Sequence, residues 1–358
     1  MDPRAPRVLT SLGQIDCDWL NDVLFRSGAI ETGRVIELHI SSSTSTNAHI
    51  MQLHVDYSAD ARGRLPTTLI LKLCAGGELF VADSEVNYYN RDYLDLAGAP
   101  VPRCYDAQFS SQNGSYHILM EDFTDTHLKD REPSIEYGTE VAKSLAAMHA
   151  HGWGADRIRV LGERIPNKQK IDLFANHVQQ GLVPLMETTK SEISDNWRTI
   201  ITEVFELCPA KMLERTSDLR GFAVLHGDLN PGNILSPKHV GKMYFLDRQP
   251  FKWSLTTWLA ASDLVIMMVP YWPPKARRKF EMQILEEYYQ QLLQCGITDY
   301  GWEQLISDYR LAAIQSLFIA SEWCIRAEDS QRMRWLWWQE LQNSMAVISD
   351  LRCMELLR

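Results

Sequence analysis

The stretch His226-Gly-Asp-Leu-Asn-Pro-Gly-Asn233, together with Tyr244-Phe-Leu-Asp247, decides how this sequence is interpreted. Asp228 and Asn233 lie in a turn-rich loop, and Asp247 comes at the end of a short apolar strand. Phosphoryl transfer needs one carboxylate at the attacking hydroxyl, and an amide oxygen with a second carboxylate to hold Mg2+. The pattern therefore predicts Asp228 as the catalytic base and Asn233 and Asp247 as metal ligands.

A loop that only packs is the alternative interpretation of this stretch. Turn-forming residues explain Asn230-Pro-Gly232 by themselves. They do not explain why the histidine, the aspartate and the asparagine occur together with an aspartate at the end of the following strand. We therefore favour the catalytic interpretation.

The same residues resemble the signature of the aminoglycoside phosphotransferase and choline kinase superfamily, in which His-Gly-Asp is followed by an asparagine. Further segments resemble its ecdysteroid-kinase-like and choline-kinase-like branch: Ser84-Glu-Val-Asn-Tyr-Tyr, Val101-Pro-Arg-Cys-Tyr, Leu145-Ala-Ala-Met-His-Ala, Leu246-Asp-Arg-Gln and Asp308-Tyr-Arg. The resemblance implies an α+β, two-lobed protein-kinase-like fold that uses ATP and Mg2+. One departure is Asp247-Arg-Gln249, because many antibiotic kinases have an aromatic residue directly after this aspartate.

The spacing of apolar residues predicts a β-rich part followed by a helical part. The predicted strands cover residues 35–40, 49–57, 67–73, 103–109 and 116–120, and the predicted helices cover 83–96, 135–151, stretches of 168–220 and most of the chain after 253. We expect a small nucleotide-binding lobe of a sheet and one helix at residues 1–123. A larger, mostly helical catalytic and substrate-binding lobe should follow at residues 124–358.

Lys72 on a predicted strand and Glu85 on the following helix resemble the lysine–glutamate pair of kinases. A lysine ammonium neutralises the α- and β-phosphates of ATP when a carboxylate fixes its long side chain. A strand lysine taken alone is more often a solvated edge residue. The motif further along the chain favours the phosphate-binding role.

Two further segments are predicted to contact the nucleotide. The hydroxyl-rich loop Ser41–Asn47 should cover the phosphates, with Asn47 among the binding residues, although a solvated turn explains it equally well. The segment 118–123 resembles the hinge between kinase lobes, where backbone groups near Glu121 and Phe123 would meet the adenine edge.

The remaining predicted residues either support the catalytic loop or bind the acceptor substrate. His226 should hold the catalytic loop, and Asp263 should brace it as a buried acceptor or else cap its own helix. Tyr271 and Trp272 follow Asp263 closely, so they are the predicted acceptor-binding residues, with packing between helices as the competing role. The tryptophans of the C-terminal half are interpreted as core rather than as a site for a cation.

The composition of the chain limits the classes of partner that we expect it to bind. The chain has 358 residues, 46 acidic against 36 basic, and a formal net charge of -10. Nucleic acid is therefore an unexpected partner, because its phosphates attract a basic face. The scattered cysteines and the lack of a long apolar run predict a cytoplasmic protein that does not associate with membranes.

These features predict an ATP-dependent kinase that transfers the γ-phosphate to a hydroxyl of a small metabolite or natural product. An antibiotic-inactivating phosphotransferase of the aminoglycoside or macrolide type and a non-catalytic nucleotide-binding pseudokinase are the alternatives. A protein kinase is disfavoured because the sequence lacks a Gly-rich loop and the His-Arg-Asp and Asp-Phe-Gly motifs. The identity of the acceptor and the oligomeric state stay open.

Overall fold

The computed structural model describes residues 7–44, 48–74, 76 and 81–358. The chain divides into two compact units. We call the first the sheet unit (Met1–Leu128 and Leu235–Lys252) and the second the helical unit (Lys129–Ile234 and Trp253–Arg358). This division differs from a single break near residue 123, because a segment of the later chain belongs to the sheet unit.

The elements are as follows. The strands are β1 (Ile30–Thr32), β2 (Val35–Thr44), β3 (His49–Tyr57), β4 (Arg62–Gly63), β5 (Thr68–Cys74), β6 (Cys104–Phe109), β7 (Tyr116–Glu121), β8 (His127–Leu128), β9 (Phe222–Val224), β10 (Ile234–Pro237), β11 (Tyr244–Phe245) and β12 (Thr257–Leu259). The helices are α1 (Cys17–Arg26), α2 (Ser84–Asn87), α3 (Ile135–His151), α4 (Gly154–Val160), α5 (Lys168–Gln179), α6 (Leu182–Thr188), α7 (Asp195–Arg215), α8 (Ala261–Met268), α9 (Pro274–Gln294), α10 (Trp302–Gln315), α11 (Leu317–Trp323), α12 (Ala327–Arg332) and α13 (Arg334–Asp350).

The sheet unit is built on an antiparallel sheet with the strand order β2-β3-β5-β7-β6. Leu71 and Leu73 of β5 belong to its buried core, which also includes apolar residues of α1. Successive side chains of a strand point to opposite faces, so Lys72 lies on the other face of the sheet. Its backbone is central, because it pairs with Ile50 of β3 and Ile118 of β7.

A segment from late in the chain returns to the sheet unit beside α2. Val81 forms a bridge with Phe251, and the backbone amide of Ala82 donates to the carbonyl of Pro250 at 2.7 Å. The Ser84 hydroxyl donates to the carbonyl of Gln249, also at 2.7 Å. These bonds place residues 247–252 against the start of the helix that carries Glu85.

Side-chain caps fix where two of the longer helices of the helical unit, α3 and α7, begin. The Ser134 side chain accepts a hydrogen bond from the backbone of Tyr137 at the start of α3, and Ser194 does the same for Trp197 at the start of α7. Gly138 lets α3 approach α9 closely, since a Cβ there would lie 2.3 Å from the Ile284 side chain.

A short antiparallel ladder between β9 and β12 orders the part of the helical unit that carries the His-Gly-Asp motif. Its pairs run from Thr257 opposite Val224 to Leu259 opposite Phe222. The loop with His226 leaves β9 and the helix with Asp263 follows β12, and hydrogen bonds from the amides of His226 and Gly227 to the Asp263 carboxylate join the two segments.

The predicted α+β class is confirmed, with a sheet-based unit and a helical unit. Two predicted boundaries are wrong. Strand β2 continues past Ile40 to Thr44, because residues 41–44 pair with 49–52 of β3 instead of forming a loop. The helix predicted over 83–96 ends sooner: α2 passes into a π-helical turn, Tyr88–Asp92, which buries Tyr88, Tyr89 and Asp92 together.

No helix in the described ranges combines the length and the apolar character that a membrane span requires.

The core of the sheet unit should depend on Leu71. We expect Leu71→Ala to lower the free energy of unfolding by about 2–5 kcal/mol, because the truncation removes buried contacts and leaves a cavity. Ile36→Ala is the control, since Ile36 is 55% exposed and should change stability by less than about 0.5 kcal/mol. Denaturant titration of both variants checks this, and equal losses would contradict the assignment of the core face.

Candidate active site

Lys72 is the centre of a charged cluster in the sheet unit. Its Nζ lies 2.7 Å from Glu85 Oε1 and 3.1 Å from Asp247 Oδ1. Glu85 is fully buried, and its second carboxylate oxygen accepts a hydrogen bond from the Tyr116 hydroxyl. We call Lys72, Glu85, Tyr116 and Asp247 the lysine cluster. It brings together the predicted lysine–glutamate pair and one of the two predicted metal ligands.

The electrostatics of the lysine cluster keep the lysine charged. Burial by itself would lower the pKa of Lys72, but the carboxylates of Asp247 and Glu85 outweigh it and raise the pKa above its ordinary value. The cluster therefore holds a positive charge with a fixed direction. The Asp247 side chain is 38% exposed, whereas Glu85 is enclosed, so a ligand can reach the cluster on the Asp247 side.

The backbone at Asp247 is unusual, with φ = 60°, in the left-handed region that residues other than glycine seldom adopt. The Tyr89 hydroxyl accepts a hydrogen bond from the Asp247 amide at 3.3 Å. The hydroxyl of Tyr88 donates to the carbonyl of Phe245 at 3.0 Å. The π-helical turn thus supports the strand end that carries Asp247.

Arg248 anchors the same turn from inside the protein. Its guanidinium is fully buried and lies 2.6 Å from Asp92, which is also buried, and it donates to the carbonyl of Ser84 at 3.2 Å. This ion pair joins the residue after Asp247 to the helical segment that carries Glu85. It also explains why arginine, and no aromatic residue, follows the aspartate here.

The His-Gly-Asp loop of the helical unit places Asp228 and Asn233 together. The Asn233 side-chain amide donates to the Asp228 carbonyl at 2.8 Å and to its carboxylate at 3.2 Å. The Asn230 side chain donates to the other carboxylate oxygen at 3.0 Å and accepts from the Gly232 amide at 2.9 Å. Two amide groups thereby orient the Asp228 carboxylate, and the oxygen of the Asn233 amide points away from it.

Asp263 braces the start of this loop. Its carboxylate accepts hydrogen bonds from the backbone amides of His226 and Gly227, both at 2.8 Å, and lies 3.0 Å from His149 Nε2. Gly227 has φ = 79°, a conformation that suits glycine. His149 is held in turn by the Tyr288 hydroxyl at 2.8 Å.

The pKa of Asp263 reflects this set of donors. Burial would raise it, but the hydrogen bond and charge of His149, together with His226 and the Gly227 amide, lower it below its ordinary value. The carboxylate does not cap its own helix. His226 contributes through its backbone, and its ring Nδ1 lies 3.4 Å from the Asp228 amide.

The structure says less about the other residues that were predicted to bind the nucleotide. Asn47 lies outside the described residues. The amide of Glu121 donates to the Arg103 carbonyl, and the carbonyl of Phe123 accepts from two amides of the following turn. The Phe123 ring packs on Tyr244 at a centroid distance of 4.3 Å. Adenine contacts at Glu121 and Phe123 stay a prediction.

Tyr271 and Trp272 lie in different surroundings. Trp272 is 1% exposed and stacks on Tyr137 at 6.2 Å, next to Gly138 in the α3–α9 packing. This burial favours the packing role for Trp272. Tyr271 is partly exposed, and the charge of Asp228 contributes, after burial and Glu340, to raising the pKa of its hydroxyl. Of the two residues, Tyr271 therefore has the better placement for an acceptor.

Comparison with known families identifies the chain. A model of the ecdysteroid kinase-like family matches residues 89–298, which is more than half of the sequence. The chain belongs to this family. The resemblance that the motifs indicated is thereby confirmed. No curated protein gives a significant match.

Solved structures share the fold of this ecdysteroid kinase-like protein. Spectinomycin phosphotransferase in complex with ADP and spectinomycin has 13% identity and a TM-score of 0.54, over 96% of this chain and 99% of that one. A glucosamine kinase in complex with glucosamine, ADP and inorganic phosphate has 13% identity and a TM-score of 0.51, over 92% and 96%. The ethanolamine kinase of Plasmodium vivax has 16% identity and a TM-score of 0.50, over 88% and 82%. At such identities the likeness establishes a kinase-like fold and nothing finer.

The motifs did not reveal four residues that hold the site of this ecdysteroid kinase-like protein. They are Asp92, Tyr116, His149 and Arg248. Each acts on a partner far away in sequence, so local spacing carries no signal for it. Arg248 left a trace as the departure after Asp247, and His149 lies in a segment that carries the family resemblance.

The Arg248–Asp92 pair gives a test in the ecdysteroid kinase-like protein. We expect Arg248→Met to lower the free energy of unfolding by about 1–3 kcal/mol, because Asp92 keeps Arg91 at one carboxylate oxygen but loses its buried partner at the other. Combining it with Asp92→Leu should recover most of that loss, since no unpaired carboxylate oxygen stays buried. Thermal or denaturant unfolding of the two single variants and the double variant measures the coupling. Additive losses would contradict the proposed pairing.

Proposed function

We propose that this protein is an ATP- and Mg2+-dependent kinase that phosphorylates a hydroxyl group of a small molecule. The observation that carries the proposal is the lysine cluster: a buried ammonium fixed by Glu85 beside a carboxylate that stays accessible. A purely structural ion pair has no need of a second, exposed carboxylate on the same lysine. The braced Asp228 loop supplies the group that the chemistry also requires.

Lys72 would bind the phosphates of ATP. Its pKa is raised, so it is charged at neutral pH, and Glu85 holds its long side chain in one direction. A positioned cation lowers the energy of the negative charge that spreads over the phosphate oxygens during transfer. Tyr116 and the burial of Glu85 prevent the carboxylate from turning away from the lysine.

Asn233 and Asp247 would hold Mg2+. Amide and carboxylate oxygens are hard ligands of the kind that Mg2+ prefers, and the ion commonly takes few ligands from protein. The Asn233 amide is oriented by its donation to Asp228, and the Asp247 carboxylate is partly exposed, so both oxygens suit this role. When bound, Mg2+ would offset the charge of the β- and γ-phosphates.

Asp228 would accept the proton of the attacking hydroxyl. In the step, the acceptor oxygen forms a bond to the γ-phosphorus, the bond between that phosphorus and the β–γ bridging oxygen breaks, and ADP leaves. The hydroxyl proton passes to the Asp228 carboxylate. The side-chain amides of Asn230 and Asn233 keep that carboxylate in one orientation, which is what a positioned base requires.

The base assignment predicts the behaviour of Asp228→Asn. We expect this variant to bind Mg-ATP normally while its kcat falls at least ~10²-fold, because an amide cannot accept the proton. Asp156→Asn makes the same chemical change at an exposed position of α4 and should leave kcat unaltered. Steady-state kinetics and calorimetry check both variants. A near-normal kcat in Asp228→Asn would exclude Asp228 as the base.

The metal assignment predicts a different signature for Asp247→Ala. Loss of the ligand should weaken ATP binding in the presence of Mg2+ and lower turnover, whereas binding of ATP in excess chelator should change little. Calorimetric titrations with and without Mg2+ separate the two conditions. Unchanged Mg-ATP affinity would show that Asp247 does not hold the metal. A protein that binds Mg-ATP but phosphorylates no hydroxyl would instead be a pseudokinase.

A further inference from the structure

Two histidines and two carboxylates lie opposite one another on strands β2 and β3 of the sheet unit. In the antiparallel pairing, Glu37 is the direct partner of Asp56, and His39 is the direct partner of His54. Val55, between His54 and Asp56, belongs to the core, so the alternation of the strand places the four polar side chains on the opposite face. We call Glu37, His39, His54 and Asp56 the strand-pair cluster.

The ligand atoms of three of these side chains already lie close together. One atom each of Glu37, His39 and Asp56 falls within 4.8 Å of the other two, and His39 Nε2 is 3.2 Å from Glu37 Oε1. Ligands bonded to one Zn2+ ion at about 2.0–2.2 Å lie about 3.5 Å from one another, so only small side-chain rotations are needed. Within the part of the chain that the structure describes, no other three His, Cys, Asp or Glu side chains approach in this way.

His54 can supply a fourth ligand. The Cβ atoms of direct cross-strand partners are about 4.5–5.5 Å apart, so the exposed imidazole of His54 can turn toward that of His39. Two imidazole nitrogens and two carboxylate oxygens then make the four-coordinate shell that Zn2+ commonly takes in proteins. Mg2+ and Ca2+ prefer oxygen ligands, so the histidines favour a transition-metal ion instead.

Protection of the sheet edge is the competing explanation for these side chains. Strand β2 is at the edge of the five-stranded sheet, and edge strands often carry charged residues that discourage association. This explains Glu37 and His39, but it does not explain His54, whose strand pairs with His39 on one side and Thr68 on the other. Edge protection also gives no reason for placing the carboxylate of Asp56 opposite Glu37, because like charges in a direct cross-strand pair are destabilising.

We propose that the strand-pair cluster binds one Zn2+ ion, or a divalent transition-metal ion of similar chemistry, through its two imidazoles and two carboxylates. The site is distinct from the lysine cluster, because His54 is four residues from Ile50, the partner of Lys72, which corresponds to about 13 Å along the strand. The bound ion would join β2 to β3 across their exposed face and offset the repulsion between the two carboxylates. This site does not depend on the proposed kinase function.

Zinc titration of the full-length chain tests the site. Calorimetry is carried out in excess Mg2+, which occupies sites that offer only oxygen ligands. We expect one Zn2+ ion to bind at micromolar concentration, and we expect His39→Ala and His54→Ala each to weaken binding at least ~10-fold, because each removes a nitrogen ligand. His49→Ala, the same change at an exposed histidine of β3 outside the cluster, should leave the affinity unaltered.

Hydrogen exchange shows where the ion binds. Zn2+ should slow amide exchange in segments 35–40 and 52–57 of the wild type, because the ion joins the two strands, and this slowing should be lost in His39→Ala. No binding of Zn2+ at micromolar concentration would overturn the proposal. Equal affinity in the wild type, His39→Ala and His54→Ala, or slower exchange only in other segments, would show an adventitious ion only and would overturn it as well.

Discussion

The buried ammonium of Lys72 is the constraint on which the rest of the sheet unit depends. A lysine that is buried on a central strand needs carboxylate partners. An unpaired ammonium there would either lose its proton or destabilise the fold. Glu85 comes from α2 and Asp247 from a segment that returns after the helical unit has begun. Three distant parts of the chain therefore converge on one charge. The Arg248–Asp92 pair and the hydroxyls of Tyr89 and Tyr116 secure that convergence.

In the helical unit, the Asp228 loop likewise depends on a buried charged partner. A turn-rich loop exposes backbone amides that need acceptors, and the buried Asp263 carboxylate takes two of them. The antiparallel ladder of β9 with β12 joins the strand before the loop to the strand before the helix that supplies this acceptor. His149 and Tyr288 then hold the acceptor from behind. The catalytic proposal for Asp228 thus rests on a rigid support rather than on a mobile loop.

The sequence predicted much of this arrangement, and the reasons for its failures are physical. Alternation placed β3 and β5 correctly, and apolar spacing placed α3 at its observed bounds. The motif pointed to Asp228, Asn233 and Asp247 because they are closely spaced and chemically distinctive, and their roles stay predictions. Residues 41–44 were misjudged as loop, because serine and threonine occur in turns and in strands alike. Asp92 and Tyr116 gave no signal, since their role depends on partners that only the folded chain provides.

A fold shared with kinases of an antibiotic, an amino sugar and an amino alcohol cannot decide the substrate. We propose that side chains near Asp228 make that decision, and Tyr271 is the candidate because it is partly exposed. Trp272 shares the sequence neighbourhood but is enclosed by Tyr137 and the α3–α9 packing. Position along the chain therefore does not distinguish Tyr271 from Trp272, whereas burial does.

Phosphorus NMR of the reaction tests the kinase assignment most directly. Protein, Mg-ATP and a panel of alcohols would be followed until ATP is consumed. A kinase of hydroxyl groups should give a phosphomonoester resonance that grows in step with ADP, and none when Mg2+ is chelated. ATP that stays intact, or ADP that appears only with inorganic phosphate, would contradict the assignment of this protein as a kinase of hydroxyl groups.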